Sequence, residues 1–182
     1  MRVPQVHMNV EKALIDRIGM DVAGKMHTTR SRNDQVALDA RMMARTQLLQ
    51  LRRNVAAAAE ALLTRSEEHL DDVMISYTHV QHAQPISVAY WLQSYAASFV
   101  RALDRLDRAA AVTNLNPLGA GAIAGTSFPI DRHLTTELLA FSEPLENGLD
   151  ATGARDYLLD VLAANSTLGI ELSRMADEFI LW

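Results

Sequence analysis

Residues 34–64 read DQVALDARMMARTQLLQLRRNVAAAAEALLT. Neither Gly nor Pro interrupts the run, and Ala and Leu dominate it. Both features favour a helix, because unbranched side chains lose little rotamer freedom there. Leu48, Leu51, Val55 and Leu62 fall at helical spacings, so the run predicts one long helix with an apolar face. Two more segments obey the same rule. "QPISVAYW" at 84–91 opens the second, with Pro85 expected in its first turn, where the missing N–H is not needed. Val88, Leu92, Tyr95, Phe99, Leu103 and Leu106 then recur three or four apart. The third starts near Ala154 and carries Leu158, Leu162, Leu168, Leu172, Met175 and Phe179 on one side. Each exceeds the ~11-residue average helix. The expected fold is all-α, a bundle of long, nearly parallel helices. No period-2 strand, no internal repeat and no element ahead of the first long helix stands out.

Composition narrows the function. A chain of 182 residues can build one domain with a substantial core. A formal net charge of -5 leaves nucleic-acid binding without an electrostatic footprint. No apolar run reaches the ~20 residues of a membrane span, and no signal-peptide pattern opens the chain. The absence of cysteine removes disulfides and thiol catalysis, and fits a reducing, cytoplasmic setting.

Three polar connections are where chemistry could reside. "HTTRSRNDQ", 27–35, sets Arg30 and Arg32, whose donor forks match carboxylates, beside a helix start that attracts anions. Ser31, Asn33 and Asp34 can each cap that helix, so solvated arginines at a plain helix start are the competing account. "YTHVQHAQP", 77–85, holds Thr78, His79, Gln81, His82 and Gln84. Histidine suits proton transfer near neutral pH. His79 and His82 also spell H-x-x-H, but zinc needs three or four ligands, and neither Cys nor H-E-x-x-H accompanies them; no metal is expected. "NPLGAGAIAGT", 116–126, lacks the G-x-G-x-x-G spacing, a preceding strand and a P-loop lysine. It is either a backbone cradle offering N–H donors to a ligand or a flexible connection.

Taken together, "HTTRSRNDQV", "YTHVQHAQP" and "NPLGAGAIAGTSFPIDR", in this order with long helices between them, closely resemble the argininosuccinate lyases of the fumarase/aspartase superfamily. "VHMNVEKALIDRIG" is similar to the stretch that precedes the family's first signature. The resemblance implies reversible β-elimination of argininosuccinate to arginine and fumarate, without metal or organic cofactor. By the same resemblance Ser31, Arg32, Asn33 and Thr78 match substrate-binding positions, with Gln81 and Gln84 as supporting groups. His79 matches the acid–base histidine. It further implies a homotetramer with active sites shared between subunits.

The family's mobile loop, of the type G-S-S-x-M-P-x-K-x-N-P, is not found in residues 1–182, and "GTSFP" at 125–129 is not it. Residues 1–182 are therefore expected to form a single but incomplete central helical domain of a longer chain. Two departures stand out: Gly153 and Ala154 where the family commonly has Ser-Asp, and Pro4 and Gln5 where Glu-Asp is usual. Against the lyase expectation stand other superfamily lyases, adenylosuccinate lyase or fumarase, which the "RSRND" run disfavours. A non-catalytic, crystallin-like assembly protein related to the lyases is the alternative of a different class.

Overall fold

The computed structural model describes residues 6–181; Pro4 and Gln5 lie outside them, as does Trp182. The chain divides into two compact units, Met1–Ala40 with Leu115–Ala154, and Arg41–Asn114 with Arg155–Trp182. The long-helix architecture is as expected: α3 (Arg32–Glu68) has 37 residues, and α4 (Val88–Thr113) and α7 (Asp156–Leu181) have 26 each.

The second unit is built on those helices. Leu48, Val55 and Ala59 of α3, Phe99, Ala102, Leu106 and Ala109 of α4, and Ala164 and Leu168 of α7 form one buried cluster. Small alanines beside larger Leu and Phe let helices approach closely and interdigitate. The predicted stripe on α3 and the Phe99, Leu103 and Leu106 part of that on α4 face this core, and Leu92 and Tyr95 of α4 are buried as well. The stripe on α7 does not hold throughout: Leu162 and Leu172 are exposed, while Tyr157, Ala164 and Leu168 are buried. The buried residues of α7 are one tyrosine, one alanine and one leucine, so leucine content marks its buried side poorly.

Arg41 is the unusual member of this unit, a cation only 3% exposed. Its Nη1 donates to the carbonyls of Val112 (2.8 Å) and Thr113 (3.2 Å), and its guanidinium lies 4.0 Å from the centre of the Tyr157 ring. One turn on, Arg45 Nη1 donates to Asn114 Oδ1 at 2.9 Å. Both arginines thus meet the C-terminal end of α4, where last-turn carbonyls lack helical donors and the dipole favours positive charge. Arg41→Ala should cost about 2–3 kcal/mol, read as a lower urea midpoint at unchanged slope. Arg41→Lys should not restore it, since an ammonium cannot both fork and stack. A midpoint within error of the parent would remove Arg41 from the architecture.

Between α3 and α4 the chain forms an antiparallel hairpin, β1 (Val73–Thr78) with β2 (Gln81–Ser87), corrected here against the strand-free reading. Pro85 is not in a first helical turn: it pairs with Ile75 in β2. Proline is tolerated in a two-stranded edge, where its absent N–H can face away from the ladder. Helix α4 begins three residues later, because Ser87 Oγ accepts from Tyr90 N at 3.1 Å and supplies the N-cap.

The first unit contains α1 (Val6–Ile18) and α2 (Met20–Ala23), a 3-10 turn at Gly24–His27 and the start of α3. It also holds α5 (Arg132–Leu138), α6 (Gly148–Gly153) and a parallel pair, β3 (Leu115–Asn116) with β4 (Glu143–Pro144). Helix α1 is a first element that sequence reading did not see. Val6, Met8 and Val10 are exposed on it, so no buried stripe announced it. Asn116, fully buried, donates to Thr136 Oγ1 (2.9 Å) and accepts from Leu118 N (2.9 Å). Asp131 caps α5 and Asn147 caps α6 through their side-chain oxygens. Near Gly153 and Ala154, α7 opens with Asp156 in its first turn, a carboxylate at the favourable helix end.

Candidate functional site

The two polar segments fall in different units, and each has its own geometry. In the first unit, Ser31 precedes α3 and its Oγ accepts from Asn33 N at 3.2 Å, which is capping geometry. Asn33 and Asp34 do not cap. Asn33 is exposed, and its Nδ2 donates to the carbonyl of Ala122 at 3.1 Å. Asp34 is fully buried, and its Oδ2 accepts from Gly119 N at 3.0 Å and Gly121 N at 2.9 Å. The glycine-rich segment is therefore neither a loose connection nor an unoccupied cradle: two of its N–H donors already serve Asp34.

The shape of that segment explains its glycines. Gly121 has φ +63°, and a Cβ there would come within 2.7 Å of the Gly125 carbonyl oxygen. Gly125 N in turn donates to Ala120 O at 2.6 Å. Arg132 ties the loop down from α5, its Nε on Leu118 O (3.1 Å) and its Nη2 on Leu145 O (2.7 Å). A cleft of about 190 Å³ beside this assembly is lined by Thr28, Thr29, Arg30, Asp34, Gly119 and Arg132 among others. Arg32 is the first residue of α3 and is half-buried. The order along the chain is thus a hydroxyl cap, an arginine, and an amide held from behind by a folded loop.

In the second unit, Thr78, His79 and Gln81 lie together at the tip of the hairpin. Thr78 and Gln81 face each other as the last pair, leaving His79 and Val80 as a two-residue turn. Both turn residues have positive φ, +52° and +60°, as right-twisted hairpins prefer. For a β-branched residue such as Val80 this is strained backbone, and such strain concentrates at functional positions. All four residues are exposed, Val80 at 84%. Below the tip, Ala83 and Gln84 oppose the single residue Ser76 as a bulge, and Ser76 Oγ donates to Gln84 O at 2.5 Å. Thr78 also lines an open hollow of about 640 Å³ with Ser76, Tyr77, Gln84 and Tyr90.

His82 takes a different position from His79. It pairs with Tyr77 across the hairpin, ring centroids 5.1 Å apart. Among the described residues no group of three or more His, Asp or Glu is placed to hold a metal ion. A larger hollow of about 710 Å³, lined by Arg132, His133, Glu137, Glu143 and Glu146 among others, contains none of the residues expected from sequence. Asp34 and Arg132 are the residues whose roles sequence reading missed. Both lie inside quoted motifs, but their partners are distant in the chain.

Comparison with known proteins supplies independent information. Residues 2–182 match the family described as Lyase. The chain is 46% identical over 177 residues to an argininosuccinate lyase of Geobacillus kaustophilus strain HTA426, covering 97% of this chain and 38% of that protein. It is 47% identical, with the same coverage, to argininosuccinate lyase 2 of Shouchella clausii strain KSM-K16. Among solved structures it resembles EDDS lyase in complex with formate, with a TM-score of 0.90 at 38% identity, covering 97% of this chain and 35% of that one. It shares a fold with class II fumarase from Schistosoma mansoni, with a TM-score of 0.77 at 20% identity, covering 94% of this chain and 43% of that one. The chain thus spans 38% of the length of the curated relatives it matches.

Proposed function

This chain belongs to the lyase family, in the fumarase/aspartase superfamily, and from that premise we propose that it forms part of an argininosuccinate lyase. The reaction is the reversible β-elimination of argininosuccinate to arginine and fumarate. A base takes the proton from a carbon next to a carboxylate, and its electron pair becomes the new C=C bond. The C–N bond breaks with its electron pair staying on the guanidino nitrogen, which takes up a proton and leaves as arginine, so the proton lost to the base is balanced by the one gained.

The residues have chemistry to match. Charge builds on the carboxylate beside the deprotonated carbon, so fixed donors aimed at it lower the barrier. Arg32 supplies a guanidinium at the positive end of α3. Ser31 and Asn33 flank it as binding groups. Thr78 and Gln81 bind from the hairpin, and His79 handles a proton. No metal or organic cofactor enters this reaction. The likeness to proteins named argininosuccinate lyase over 97% of the chain is the observation that carries the reading.

The assembly that goes with this reading is a homotetramer, with each active site drawing segments from different subunits and residues 1–182 acting as part of one central helical domain. Exposure of the hairpin tip supports it, as do the bare apolar side chains Leu159 (67%) and Ile170 (68%) on α7. Among the described residues no helix is long and apolar enough to cross a membrane, and a cytoplasmic location is part of the proposal.

The test is fumarate release, followed by ultraviolet absorbance, when argininosuccinate is mixed with the purified full-length protein. Fumarate and arginine appearing in equal amounts is the expected result. No release from folded protein would overturn the activity and favour the crystallin-like assembly role. The likeness to EDDS lyase favours a second reading, in which EDDS is the substrate. Faster fumarate release from EDDS than from argininosuccinate would establish it instead.

A further inference from the structure

The geometry points to Asp34 as a positioning residue that holds the Asn33 side chain through the glycine-rich loop; the inference rests on Asn33 binding substrate. Asn33 and Asp34 are neighbours on the first turn of α3, yet their side chains part. Asp34 is fully buried, while Asn33 is exposed. The two are rejoined through residues 119–122. Asp34 Oδ2 takes the N–H groups of Gly119 and Gly121, and the next residue, Ala122, brings its carbonyl to 3.1 Å from Asn33 Nδ2. A ring of contacts therefore closes from one side chain, through the loop backbone, to the other.

Each part of the ring has a physical reason. The terminal amide of an exposed Asn turns over a broad, roughly two-fold torsional well, so alone it would offer either its oxygen or its NH2 group. The Ala122 carbonyl accepts only from the NH2 end and so fixes which end is presented outward. That carbonyl is useful only if it stays in place. Two N–H bonds to a carboxylate are stronger than bonds to a neutral acceptor, and they anchor the residues immediately before it. The Gly125 N to Ala120 O bond and the Arg132 Nε to Leu118 O bond brace the same loop. The result is a preorganised amide, and a misplacement of about 1 Å at such a group can cost about 100-fold in rate.

A double-mutant cycle in the full-length enzyme, with argininosuccinate as substrate, tests this. Asp34→Ala should lower kcat/KM by about 10- to 100-fold. In an Asn33→Ala background the same change should add less than about 2-fold, because the residues act as one unit. Protein labelled with 15N-asparagine reports the Asn33 side-chain amide directly, its signal assigned by absence from Asn33→Ala. Asp34→Ala should abolish its protection from solvent exchange. Asp34→Asn retains an acceptor oxygen for both glycine N–H groups. It should keep most of that protection and lose less turnover than Asp34→Ala, which guards against an alanine variant that does not fold. A protected Asn33 amide in Asp34→Ala overturns the inference, as does a pair of losses that multiply. Near-normal turnover by Asn33→Ala overturns instead the binding role on which it rests, whatever the amide signal shows.

Discussion

His79→Asn in the full-length enzyme is expected to lower kcat/KM by about 100- to 10,000-fold, the range for a positioned acid–base group. Asparagine is the informative replacement because of the backbone. His79 sits at φ +52°, in a two-residue turn closed by the Thr78–Gln81 pair. Asn adopts left-handed backbone more readily than most residues, so the turn persists while the imidazole is lost. The hairpin is independently braced by the Ser76–Gln84 bond and the Tyr77–His82 ring contact. A loss of turnover in this variant therefore reports chemistry and not an unfolded tip. Steady-state kinetics with argininosuccinate, with circular dichroism to confirm an unchanged fold, is the measurement. Turnover within a few-fold of the parent would exclude His79 from proton transfer.

Phe99→Ala should destabilise the protein by about 3–5 kcal/mol, the range for emptying a well-packed aromatic site. Phe99 is 1% exposed and belongs to the cluster built from α3, α4 and α7. Its neighbours there include Leu106, Leu48 and Leu168, all at 4% exposure or less. Rigid helices cannot collapse readily onto the space that a ring leaves. Urea unfolding at fixed protein concentration is the check, since association would otherwise shift the midpoint. Phe99→Leu should recover much of the loss by restoring most of the volume. A change below about 1 kcal/mol for the alanine variant would mean that this cluster is not where the unit's stability resides.

The elements that could be read from the chain are those whose cause is local. Residues 34–64 have no residue that breaks a helix and a regular apolar face, and α3 spans them in full. The faces of α3 and α4 followed from spacing alone, because Leu48, Val55, Phe99 and Leu106 are large and periodic. The hairpin was hidden for an equally local reason. Its first strand, V-M-I-S-Y-T, is rich in β-forming residues, but the turn is His-Val and not the Asn-Gly that marks such turns. Pro85 then mimicked the opening of a helix. Helix α1 and the buried side of α7 were obscured because many of their large apolar residues are exposed.

The candidate site divides along the same line. Ser31, Arg32, Asn33, Thr78, His79 and Gln81 are candidates because the short segments that hold them resemble lyase signatures, and their part in a site is the proposal. What Asp34 does could not be read that way. Its partners, Gly119 and Gly121, lie 85 and 87 residues further along, and Asp34 at a helix start is equally consistent with a cap. Arg41 is similar, an ordinary helix-surface arginine in sequence whose acceptors are 71 and 72 residues away. Helical propensity and apolar periodicity are properties of neighbouring residues and are written in the chain. The partner of a buried charge is chosen by where the backbone returns, and only folding brings an unpaired N–H or carbonyl within 3 Å of it.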